Sequence, residues 1–164
     1  MGRKPRTDDT RLLREFLGQY YRAVKRKRQI EERLNHIKLE MALPLDSIRY
    51  SPVKSKPSGA VSDGSAKLTL QKASCESLLI EQKLHMEDIL RGIIEVLAVL
   101  PEDSEERMIL ELRFIDNYSW TAISRKANMS RSTCFNYRDR GLRTLADNNG
   151  VQEVLRIYRA NRGQ

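Results

Sequence analysis

Apolar residues recur in alternating threes and fours along two long stretches of this chain. From residue 9 to residue 41 the series Leu13, Phe16, Tyr20, Ala23, Ile30, Leu34, Ile37 and Met41 keeps to one face of a helix, with Lys27 as its interruption. A second series, Cys75, Leu79, Gln82, Met86, Ile89, Ile93, Val96 and Leu100, has the same spacing. Asp8 or Asp9 is placed to cap the first helix, Pro44 marks its end, and Leu100-Pro101 closes the second. Between them, residues 44–65 are rich in Pro, Ser, Gly and Lys and read as a loop. Two helices of matched length joined by a loop predict an antiparallel, coiled-coil-like hairpin about 40 Å long at ~1.5 Å per residue. Leu78, Leu90, Ile94 and Leu97 widen the second stripe beyond what one partner helix covers. A helix over 105–115, a second copy of the hairpin and a protein partner are the candidate covers, and nothing in the sequence chooses among them.

The pattern shortens after Pro101. Asp103 with Glu106 fits a capping box for a helix that buries Met108, Ile109, Leu112 and Phe114 or Ile115. Ser119 then precedes a helix over Trp120–Ala127, and Ser130 precedes one reaching about Ala146, each hydroxyl standing where a helix start needs an acceptor. Two helices that cross closely need a small residue at the crossing, a turn residue tolerant of positive φ and an apolar anchor just inside the second helix. Ser124, Asn128 and Cys134 fill those places in order. With Cys134 facing inward, helical periodicity buries Tyr137, Gly141 and Leu145 and turns Arg131, Ser132, Phe135, Asn136, Asp139, Arg140 and Arg143 outward. A last amphipathic helix carries Val154, Leu155 and Tyr158.

The predicted architecture is therefore all-α. It comprises a basic flexible tail (1–8), a helical hairpin (9–100) with its loop at 44–65, a helix-turn-helix domain (101–147), and a short C-terminal helix and tail (148–164). A fragment beginning near Pro101 is expected to fold alone around Met108, Ile109, Leu112, Trp120, Ile123 and Tyr137.

Charge gives this arrangement a partner class. The chain of 164 residues has a formal net charge of +8, and a pI near 9.7 calls for a polyanion such as nucleic acid. Lys and Arg are in excess over residues 1–43 and 119–164, whereas Glu102–Asp116 is acidic. A second helix of this type lies in the major groove with its first residues against base edges. Arg suits guanine and Asn suits adenine, so Arg131 and Asn136 are the candidate base readers. Ser130, Ser132 and Thr133 supply hydroxyls for bases or phosphates, Phe135 shares the outer face, and Arg125, Lys126, Arg138 and Arg140 are the candidate phosphate contacts. The run Lys25-Arg-Lys-Arg28 points around most of a helix circumference and reads first as a solvated face.

Over Glu106–Leu145, the string Arg-x-Ile-Leu-x-x-Arg-aromatic-Ile at Arg107–Ile115, followed by Ser119-Trp120 and Ile123, resembles region four of sigma-70-type factors. More narrowly it resembles the phage-encoded ArpU/RinA-type late-gene regulators, in which a long helical segment precedes such a region. Ser124, Ala127 and Asn128 depart from the family's usual Ala, Leu and Gly. The resemblance implies a transcription regulator of phage or prophage late genes that binds double-stranded promoter or operator DNA and contacts bacterial RNA polymerase, as a monomer or a homodimer. Two other readings fit the same pattern: a phage terminase small subunit that binds a packaging site, and a coiled-coil assembly adaptor that binds no DNA.

Other chemistry finds no foothold in the sequence. Cys75 and Cys134 have neither metal-type nor redox-type spacing, and His36 and His85 stand alone. Glycine-rich nucleotide loops, nucleophile elbows and paired carboxylates are absent. The expectation is a non-enzyme with no cofactor, metal, membrane or small-molecule substrate. It is expected in the cytoplasm of a bacterial host, at the nucleoid.

Overall fold

The computed structural model describes residues 7–43 and 63–162; residues 1–6 of the expected N-terminal tail and most of the expected loop lie outside them, while Thr7 and Asp8 open the first helix. Among the described residues the fold is all-α. Seven helices follow one another: α1 (Thr7–Leu17), α2 (Gln19–Ala42), α3 (Asp63–Leu97), α4 (Glu105–Phe114), α5 (Trp120–Ala127), α6 (Arg131–Ala146) and α7 (Asn149–Asn161). None is long and apolar enough to cross a membrane.

The chain forms two compact units. One comprises Met1–Ala23 with Met86–Gln164, the other Val24–His85. The sequence boundary at 100/101 is thus not where compactness divides. In the first unit, Leu12, Leu13, Phe16 and Leu17 of α1 share one core with Ile93, Val96 and Leu97 at the end of α3, Leu100 just beyond it, Leu110 and Phe114 of α4, Leu142 and Leu145 of α6, and Val151 and Leu155 of α7. The stripe read as one arm of a hairpin is therefore split, its first half, Leu13 to Ala23, forming part of the unit that carries the helix-turn-helix. Phe16 meets the edge of Tyr158 at 5.5 Å between ring centroids. Arg162 donates to the Glu15 carboxylate at 2.8 Å, and Arg159 lies 3.6 Å from Asp8.

Within the first unit, Gly18 breaks the expected continuous helix into α1 and α2. Side chains take up carbonyls at the break: Gln19 donates to Phe16 O at 3.0 Å and Arg22 to Glu15 O at 2.9 Å. The hairpin arms are also unequal, 24 residues in α2 against 35 in α3. In the second unit, Gln29, Arg33 and Ile37 line a groove with Lys67, Leu70 and Cys75, which sets the later half of α2 beside the start of α3, as in an antiparallel hairpin. Ile30 and Leu34 are buried, and Cys75, Leu79 and Gln82 are half-buried on the face expected to meet α2.

The helix starts follow local chemistry, with one correction. Ser104, not Asp103, caps α4, its hydroxyl accepting from Arg107 N–H at 3.2 Å. Asn148 caps α7 in the same way through Val151 N–H. α4 and α6 approach closely at Gly141, where a Cβ would lie 2.9 Å from Leu110 Cδ1 and 3.1 Å from Glu106 Cβ, so only a glycine fits there without a shift.

Candidate nucleic-acid interface

α5 and α6 are set by short-range interactions. The Ser119 hydroxyl accepts from Ala122 N–H at 3.2 Å and the Ser130 hydroxyl from Thr133 N–H at 3.1 Å, so each helix begins at its expected cap. Asn128 ends α5 in the left-handed region, at φ 53° and ψ 43°. Its N–H bonds to Arg125 O at 3.3 Å and Met129 N–H bonds to Ser124 O at 3.0 Å, the paired pattern of a Schellman turn. The Ser124 hydroxyl donates to Met129 O at 2.5 Å, tying the helix to the far side of the turn. A small residue with a hydroxyl is thus a structural part of this turn. Asn117 is a second left-handed residue, at φ 58°, just before Tyr118 and the Ser119 cap.

Cys134 anchors α6 by packing with Ile109 and Ile123, all three fully buried, under Met108, Leu112, Trp120, Met129 and Tyr137. That inward register leaves Arg131, Ser132, Asn136, Arg140 and Arg143 exposed. Ser132, Asn136 and Arg143 fall four and then seven residues apart, so they line one outer face.

The cations of this face are in two states. Arg125 and Arg131 make no ion pair among the described residues; Arg131 rests over the Phe135 ring at 6.0 Å and Lys126 over Tyr118 at 4.7 Å. Arg138 is held on several sides: its guanidinium stacks over Phe135 at 4.8 Å and Trp120 at 5.4 Å, and Nε donates to Asp139 at 2.8 Å. Arg140 stacks over Tyr137 at 5.2 Å and donates to Glu106 at 2.5 Å. Phe135, expected to face outward, is half-buried with its ring edge-on to Trp120 at 4.9 Å. The Ser130 and Thr133 hydroxyls lie 2.8 Å apart, and Ser132 is 2.9 Å from Ser130.

These pairs shift two carboxyls. The hydrogen bond from Arg138, opposed by partial burial and helped by the charges of Arg138, Arg14 and Arg143, holds Asp139 below the usual aspartate value. Burial raises Glu106, but its backbone hydrogen bond and the bond and charge of Arg140 outweigh this and hold it below the usual glutamate value.

Sequence reasoning missed the ring-and-guanidinium stack as a unit. Trp120 lies between Arg138 and Arg113, whose guanidinium is 5.3 Å from the ring and donates to Tyr118 O at 2.9 Å. The one available signal was the spacing of aromatic and basic residues at 113, 120, 135 and 138. Among the described residues there is no group of three or more His, Cys, Asp or Glu side chains that could hold a metal. The chain matches no family model, no curated protein and no solved structure.

Proposed function

We propose that this chain is a sequence-specific regulator that binds double-stranded DNA by placing the start of α6 in the major groove. The observation that carries the reading is the pairing of a tightly specified α5–α6 turn with an α6 whose first exposed residues are Arg131, Ser132 and Asn136. Arg131 and Asn136 read base edges, and Ser132 adds a hydroxyl. Arg125 and Lys126, without ion pairs among the described residues, hold phosphates on the α5 side. Arg138, fixed by Trp120, Phe135 and Asp139, acts first as a brace that sets the angle of α6, and Arg140 braces α6 against α4 through Glu106. The net charge of +8 supports a polyanionic partner.

The resemblance to sigma region four and to ArpU/RinA-type regulators supports the narrower reading: a non-enzymatic regulator of phage or prophage late genes in the bacterial cytoplasm, with RNA polymerase as its protein partner. The test is selection of bound fragments from a random and a phage-genomic DNA pool, followed by titration of the selected site against salt. A recovered consensus is expected, with affinity falling steeply as roughly three to six phosphate contacts are screened. Recovery of no consensus, together with a flat salt dependence, would refute the reading and favour the adaptor alternative.

A further inference from the structure

α3 carries a second apolar stripe that its partner helix does not cover. Cys75, Leu79, Gln82 and Met86 are half-buried, whereas Ala73, Ser77, Ile80 and Leu84 are exposed. Ile80 and Leu84 retain 61% and 58% of their surface. These four are spaced four, three and four, so they form a heptad seam of their own. Relative to the half-buried series they occupy the b and f positions, the opposite side of the same helix. A helix apolar on two sides requires cover on both.

We propose that this outer seam pairs with the same seam of a second copy of the chain, with the two α3 helices antiparallel. Residue sizes choose the register. A two-fold axis between residues 78 and 79 sets Leu84 against Ala73 of the second copy and Ile80 against Ser77, so each layer joins a large side chain to a small one. Charge chooses the same register. Glu76 and Lys83 flank the seam on one edge, and the two-fold brings Glu76 of each copy within a helical turn of Lys83 of the other. A parallel pairing would instead stack Ala73 on Ala73 and Ser77 on Ser77, leaving thin layers, and would oppose Glu76 to Glu81. Glu76 is 48% exposed and its contact with Lys72 is a loose 3.8 Å, so it is available to exchange partners.

The test uses the full chain without DNA, so its outcome is independent of the DNA-binding reading. Sedimentation of the native protein at micromolar concentrations should show a dimer. Ile80→Glu should give a monomer with unchanged far-UV helicity. Glu76→Lys should weaken the dimer about tenfold or more by turning two attractions into repulsions, and adding Lys83→Glu should restore it. A native monomer, a dimer indifferent to Ile80→Glu, or a dimer tightened by Glu76→Lys as the parallel pairing requires, would each overturn the proposal.

Discussion

Leu13 stands more than one hundred residues from the helix-turn-helix in sequence, yet its replacement should loosen that motif. Its side chain is fully buried in the core shared with Leu110, Phe114, Leu142 and Leu145. Leu13→Ala removes the branched end of a packed side chain and leaves a cavity bounded by several helices, a change that costs about 2–5 kcal/mol. Against a total stability on the order of 5–15 kcal/mol, this is a large fraction. For a domain of this size, each kcal/mol lowers the melting temperature by roughly 4–8 °C, so the midpoint should drop by at least about 8 °C. The assay is thermal and urea unfolding of the full chain, followed by far-UV ellipticity and by the fluorescence of Trp120, the chain's one tryptophan. Because Trp120 packs beside Ile123 and Cys134 in α5, its signal reports the motif itself. Leu39→Ala, at a side chain 68% exposed, is the control and should change stability by less than about 0.5 kcal/mol. A Leu13→Ala protein whose Trp120 transition coincides with the native one would refute the argument and leave α1 outside the domain. The same reasoning reverses the expectation for a fragment beginning at Pro101, which loses the α1 and α3 cover of Leu110, Phe114 and Leu142 and should lack a cooperative transition.

Two further outcomes follow from contacts around α4 and α6. Gly141→Val should destabilise by about 1–3 kcal/mol in urea unfolding, because the added carbons meet Leu110 and Glu106 where even a Cβ is too close, and this exceeds the helix-propensity gain. Glu106 and Asp139 are held below their ordinary values in the folded chain, so each contributes stability that is present above its unfolded value and lost as pH falls through its folded one. The urea midpoint should therefore fall as pH drops below about 5, and Glu106→Gln should flatten that fall. A midpoint independent of pH in this range would contradict both pairings.

What was legible in the sequence is what depends on a few neighbouring residues. The caps at Ser119 and Ser130, the left-handed Asn128 and the inward Cys134 each follow from interactions within one or two turns. The two heptad stripes also show one face in the structure, from Leu13 to Ile37 and from Cys75 to Leu100. Where two local choices competed, reading failed: Ser104 and Asp103 are adjacent candidates, and Glu106 was assigned to a capping box although its carboxylate bonds Arg140, 34 residues away. The docking of α1 against α6 and α7 left no periodic trace, because a stripe shows that a helix has a buried face but not which face buries it. The exposure of Ile80 and Leu84 was hidden for a related reason, since a second stripe on an already apolar helix looks like more core. In the candidate interface, the outward register of Arg131 and Asn136 was readable from Cys134 alone, whereas the bracing of Arg138 required knowing that Trp120 and Phe135 meet.

The central claim is that the exposed start of α6 reads bases. The most direct measurement is fluorescence anisotropy of Arg131→Ala and Asn136→Ala on the selected site and on random DNA of equal length, at matched salt. Each substitution should cost about 1–3 kcal/mol on the selected site and leave random-sequence binding nearly unchanged. Equal losses on both DNAs would place these side chains on the backbone, and no loss on either would put the interface elsewhere on the molecule.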